Sequence, residues 1–238
     1  MSPRPPSPRR VGSAAGWRAG GAALVLSLLV AGCQTPPAEE LRWQLGPAFV
    51  PTNYSGLKLM PAEVRRVAVL PPAGIETLPT DSAGAIVDAL QAALLAEARF
   101  EVVVVDSAFM RSRGGKAAYG SGEQLPADLF ERIRRDYAAD AVLMVDITHH
   151  RFYAPLALGV RAKLALAAEP HGVIWAFDTL YDVRDPAVAN SARRHAAVAQ
   201  RDVADAGVAS LQSPSRFAAY VFSDVFGVLP KRPPPVAP

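Results

Sequence analysis

Catalysis requires reactive groups held close together, and this chain of 238 residues offers few candidates. Its histidines are His149, His150, His171 and His195. His149 and His150 are adjacent in an apolar run that reads as a strand. Neighbours on a strand project to opposite faces, so the pair is poorly placed to share a metal. His171 falls in a turn and His195 beside Arg193 and Arg194, which suits solvated or core roles for all four. Asp146, Asp178 and Asp182 are more suggestive. On neighbouring strands, with 178 and 182 on one face, they could serve as acid and base. Polar residues on an open sheet face are nevertheless common. The chain also lacks a phosphate-binding glycine loop, a G-x-S-x-G elbow and an H-E-x-x-H pair. The glycines at 114, 115, 120 and 122 lack the spacing of a phosphate cradle. The expectation is therefore a protein that is not an enzyme, with no cofactor, no metal and no identifiable small-molecule substrate. A hydrolase built on the aspartates is the less favoured reading.

Two other groups are candidates for contact with a partner. Arg111, Arg113 and Lys116 lie in the glycine-rich, polar segment 107–124, which reads as a long exposed loop, and such loops are functional or mobile. Three charges are fewer than the roughly 4 to 8 of a lipid-binding cluster. They would meet anionic headgroups or an acidic partner, or simply keep the loop soluble. Phe152 and Tyr153 precede Pro155 at a predicted strand end, where they suit either a protein interface or the core.

The remaining reactive group is the thiol of Cys33, the only cysteine in the chain, so no internal disulfide can form. Arg4, Arg9, Arg10 and Arg18 precede it with no acidic residue, and residues 22–31 are apolar apart from Ser27. Basic, then apolar, then small is the order of an export signal. The run falls well short of the roughly 20 apolar residues that cross a bilayer. Val30, Ala31, Gly32 and Cys33 resemble the lipobox of bacterial lipoproteins, which implies cleavage before Cys33 and acylation of its sulfur. At about 0.8 kcal/mol per buried methylene, several acyl chains make an effectively stable anchor that does not span the membrane. Gln34 in place of aspartate resembles outer-membrane lipoproteins of enteric bacteria, implying the inner leaflet of the outer membrane, facing the periplasm. Loss of residues 1–32 would leave 21 basic against 22 acidic residues, so bulk charge gives no support to nucleic-acid binding.

These residues need elements to position them. Residues 33–62 contain five prolines and no sustained period, which suits a tether, though Trp43, Phe49 and Tyr54 indicate that part of it packs back. Residues 230–238 form a proline-rich tail, leaving 63–229 for a single globular domain. Within it, 64–70 reads as a buried strand. Asp81 or Ser82 can cap a helix with Ile86, Leu90 and Leu94 on one stripe, and 100–105 gives a second strand, completing a parallel βαβ unit. Pro126 can open another helix with Leu129, Ile133 and Tyr137 on one face and an Asp128–Arg132 pair across one turn. Strands at 141–152, 156–168 and 173–183 follow, the second alternating apolar residues with Arg161 and Lys163, and Glu169 to Gly172 fits a hairpin turn. Asp185 and Pro186 start an alanine-rich helix, and Ser213 with Pro214 start a final one. The expected fold is α/β, of two or three layers, with a mixed sheet of about five strands in the order β-α-β-α-β-β-β-α.

This succession is similar to a group of envelope proteins. The group contains the curli secretion lipoprotein, the lipoprotein activators of penicillin-binding proteins and the N-terminal domain of the Tol-system β-propeller protein. The resemblance covers residues 64–183. It is carried by Val67 to Pro71, Phe100 to Val103, Ala139 to Leu143, and the turn 169–172 leading into Val173-Ile174-Trp175. It implies a non-enzymatic lipoprotein that binds another envelope protein or associates with itself. The alternative it offers is a subunit of a secretion pore.

Overall fold

The computed structural model describes residues 46–199 and 210–234. Cys33, the export signal and part of the expected tether lie outside the described residues.

Six strands form one open, mixed sheet in the order β1-β6-β5-β4-β2-β3. They are β1 (Tyr54–Gly56), β2 (Arg66–Val69), β3 (Glu101–Val104), β4 (Ala141–Arg151), β5 (Ala157–Leu166) and β6 (Val173–Asp182). Strand β2 pairs in parallel with both β3 and β4, and every other pairing is antiparallel. The βαβ unit and the three-stranded meander thus form where the β-branched runs and the alternating pattern place them. The sixth strand comes from the segment read as tether. Residues 54–56 pair with β6, and Pro51 and Met60 on either side are buried. That sheet edge is then tied down, because the backbone of Lys231 bonds both Lys58 O and Met60 N.

Helix α1 (Thr80–Glu97) connects β2 to β3 and buries Ile86, Leu90 and Leu94, the stripe its 3.6-residue period predicts. It begins slightly earlier than expected. Pro79 occupies the N-cap without a side-chain bond, so neither Asp81 nor Ser82 caps it. Helix α2 (Ser107–Gly114) replaces the first half of the expected loop. Asp106 accepts the Phe109 N–H at 2.6 Å to start it, and Gly115 at φ +88° ends it. Of its residues only Met110 is buried, which explains why periodicity missed a helix of eight residues. Helix α3 (Leu129–Tyr137) starts one turn after Pro126 and buries Leu129, Phe130 and Ile133, with the Asp128–Arg132 ion pair formed. In α4 (Pro186–Ala199), Asp185 accepts the Ala187 N–H at 2.8 Å. In α5 (Pro214–Gly227), Ser213 caps Arg216 with Pro214 in the first turn, as the sequence indicates.

The sheet has two unequal faces. On the front, α1 and α5 pack over a continuous core in which Trp175, Tyr181, Phe217, Phe222 and Phe226 are each under 2% exposed. Each such side chain contributes about 1.5–3 kcal/mol on burial. On the back, α2 and α3 cover only part of the sheet, packing Met110, Leu129, Phe130 and Ile133 on Ala68, Leu70, Val142, Met144 and Ala165. Beyond Ala165 of β5, the back of the sheet toward β6 and β1 contributes no residue to this helix-covered cluster among the described residues. The fold is therefore three-layered over one half of the sheet and two-layered over the other. Past α1, Arg99 donates to the carbonyls of Gly227, Leu229 and Pro230, satisfying oxygens left open behind α5.

Candidate functional site

Directly paired strand residues project to the same face, so the register defines what the uncovered back surface presents. One row runs Met144, Lys163, Ala176, Ser55, and the next runs Asp146, Arg161, Asp178. Ala176 and Ser55 are small. Together with Asn53, Gly122 and the two cations they leave a shallow groove of about 340 Å3 between β1 and the loop after α2.

The charges in these rows are partnered individually. Asp146 is buried and accepts two bonds from Ser121, from its N–H and from its Oγ, both at 2.7 Å. Lys163 Nζ donates to the Ser121 carbonyl at 2.7 Å. Ser121 thereby pins the loop to the sheet. Arg161 Nε donates to Asp178 Oδ2 at 2.8 Å, while Asn53 Nδ2 donates to the Asp178 carbonyl at 2.6 Å. Asp182 stands four residues further along β6 than Asp178, with the exposed Leu180 between them. It binds Arg184 at 2.6 Å and Arg151 at 3.0 Å. Hydrogen bonds from the Arg184 side chain, outweighing partial burial and helped by the Arg184 N–H and by Arg151, hold the Asp182 carboxyl well below the usual range.

The three aspartates considered as an acid–base group are therefore not brought together. Arg161 stands between Asp146 and Asp178, and Asp182 is held by its own arginines. The histidines are equally dispersed. His149 and His150 are exposed beside a β-bulge, and His171, at φ +55°, packs edge-on against Phe130 at 5.1 Å. Burial lowers the pKa of His195. Among the described residues no three His, Cys, Asp or Glu side chains gather to hold a metal ion.

The partner-contact candidates also separate. Arg111 and Arg113 are both exposed on α2, two residues apart and so not on one face. Lys116 lies beyond it, paired with Glu123 at 2.5 Å and stacked 5.3 Å over the Tyr119 ring. Phe152 is half-buried, packs against the front core and lies 5.4 Å from the His150 ring, whereas Tyr153 is 73% exposed.

Sequence reasoning missed the role of Ser121, which nothing in its polar loop distinguishes. It also missed a buried network on the front. There the Tyr181 hydroxyl donates to Asp224 Oδ2 at 2.7 Å, beside a cavity of about 420 Å3 bordered by Phe49, His195 and Tyr220. Burial raises the Asp224 carboxyl, and the Tyr181 bond opposes that shift.

The exposed apolar side chains are unevenly placed. Tyr54, Leu57, Leu59, Val173 and Leu180, each 46–56% exposed, belong to β1, the residues after it, and β6. The antiparallel register turns the backbone groups of Ser55 toward β6, and hence those of Tyr54 and Gly56 toward the side of β1 on which no strand pairs among the described residues. Among the described residues no helix is long and apolar enough to cross a membrane.

No protein-family model matches the chain, and no curated protein matches it. Several solved structures are similar in outline. The PelC dodecamer from Paraburkholderia phytofirmans is 17% identical with a TM-score of 0.46, over 75% of this chain and 95% of that one. Lipoprotein GNA1162 from Neisseria meningitidis is 20% identical with a TM-score of 0.36, over 50% and 82%. The LpoB C-terminal domain from Salmonella enterica is 17% identical with a TM-score of 0.32, over 50% and 82%. Similarity at this level is loose and does not carry function across.

Proposed function

We propose that this chain is a lipid-anchored protein of the bacterial envelope that binds another envelope protein, or a second copy of itself, without catalysing a reaction. In this reading residues 1–32 are an export signal, Cys33 carries the acyl chains, and residues 33–62 lead to the domain. Gln34 favours the inner leaflet of the outer membrane, facing the periplasm.

The observation that carries the binding role is the β1–β6 flank. Exposed apolar side chains concentrate there beside a strand whose outer backbone groups point away from the sheet. An unpaired edge offers hydrogen bonds to an added strand, and apolar neighbours supply the area that makes such pairing stable. Arg111, Arg113, Lys116, Phe152 and Tyr153 are proposed as lesser contacts, Tyr153 being the most exposed of the aromatics.

Site-specific photo-crosslinking in intact cells tests the surface. Crosslinkers at Leu57 and Val173 are expected to capture a protein, and one at Leu95, exposed on α1, is expected not to. Capture only from Leu95 would reject the flank. Mass spectrometry of the mature chain tests the anchor, with an acylated Cys33 expected and a bare thiol refuting it.

A further inference from the structure

We infer that the groove on the back of the sheet is an oxyanion site, taking a carboxylate or phosphate group between Lys163 and Arg161. This goes beyond the binding role proposed for the neighbouring edge and does not depend on the lipid anchor.

The two cations sit two residues apart on one strand, so both project to the same uncovered face. Their partners leave them unequally satisfied. Asp146, the buried carboxylate nearest in register, is occupied by the two Ser121 bonds. Lys163 Nζ consequently reaches the Ser121 carbonyl, a neutral acceptor, and among the described residues no carboxylate lies within ion-pair distance of it. An ammonium has three donors, and this contact uses one. Arg161 engages Asp178 through Nε alone; among the described residues no hydrogen bond is made by its terminal Nη groups. A guanidinium used in this way still presents donors to a second oxyanion.

The space beside them suits a small anionic group. The groove is about 340 Å3, floored by Ala176 and bordered by Ser55, Asn53 and Gly122, with Tyr54, Phe177 and Asp178 completing the lining beside the two cations. Its one acidic member, Asp178, is already held by Arg161. An oxyanion here would receive charge-assisted bonds from two cations at once. The loop carrying Gly122 is fixed to the sheet through Ser121, so this wall exists before any ligand arrives.

The chain has four lysines, at 58, 116, 163 and 231, so the full chain in detergent micelles, labelled at lysine Cε, gives a sparse NMR spectrum. Lys163→Met assigns the relevant signal. Titration at constant ionic strength with inorganic phosphate in one arm and acetate in the other should shift the Lys163 signal saturably. Whichever arm saturates identifies the anion. Arg161→Gln should weaken binding about tenfold, the loss of one charge-assisted partner. Gly122→Glu supplies a second variant. A Cβ there meets nothing within 4 Å, so the new carboxylate can occupy the groove, and it too should weaken binding about tenfold while Gly122→Ala leaves it unchanged. A common drift of all four lysine signals, or titrations unaltered by Arg161→Gln and Gly122→Glu, would overturn the site.

Discussion

Replacing Tyr181 by phenylalanine removes one oxygen from the middle of the front core and leaves the ring in place. The hydroxyl donates to Asp224 at 2.7 Å, and Tyr181 is fully buried. Asp224 is itself burdened by burial, which raises its carboxyl, and the phenol bond is what opposes the shift. The cost of the substitution must then depend on the charge of Asp224. With the carboxylate ionised, a hydrogen bond to a charged acceptor is lost, worth about 1.5–3 kcal/mol; with it protonated, the loss is that of a neutral bond, about 0.5–1.5 kcal/mol. The sign of the pH dependence follows from the direction of the shift. A carboxyl raised in the folded state contributes stability that is complete below its unfolded value, near 3.9, and is lost as pH rises through the folded value. Tyr181→Phe raises the folded value further and so deepens that loss. Urea unfolding followed by tryptophan fluorescence at pH 8 and pH 4 should therefore show a larger penalty at pH 8, with an unchanged slope on denaturant. An equal penalty at both pH values would refute the coupling.

Two further substitutions probe other parts of the frame. Gly74→Ala should cost at least about 2 kcal/mol in chemical denaturation, because Gly74 sits at φ +81° and an added Cβ would collide with the Ile147 carbonyl oxygen. Asp182→Asn should cost about 2 kcal/mol near neutral pH by weakening the bonds from Arg151 and Arg184. The Asp182 carboxyl is lowered in the folded state, so its contribution is present above the unfolded value and fades as pH falls below about 4. The penalty, read from urea midpoints, should shrink over that range.

Periodic elements were legible because burial imposes a period. Ile86, Leu90 and Leu94 announced α1, and the alternation around Arg161 and Lys163 announced a strand with one wet face. Ser213–Pro214 announced α5 through its cap. Helix α2 was not legible, since a helix of eight residues burying only Met110 leaves no stripe. Strand β1 was hidden among prolines; what holds it is backbone pairing to β6, which leaves little trace in residue type. The same limit applies to the groove. Arg161 and Lys163 were visible as polar positions, but that Lys163 meets the Ser121 carbonyl and no carboxylate among the described residues depends on Ser121 engaging Asp146 across 25 residues of sequence.

The bonds made by Arg99 and Lys231 join remote stretches of the chain on one side of the domain. Arg99 holds the carbonyls at 227, 229 and 230, and Lys231 in turn holds residues 58 and 60. The stretch leading into the domain is thus fastened by the stretch that follows its last helix, as a strap is fastened by its buckle. A pull on the segment before β1 meets first the bonds that Ser191, Asn190 and Arg194 of α4 make to Phe49, Pro47 and Gly46, and whatever passes β1 is shared with α5 and the end of α1 through the Lys231 and Arg99 bonds, so tension is not borne by three residues of strand alone.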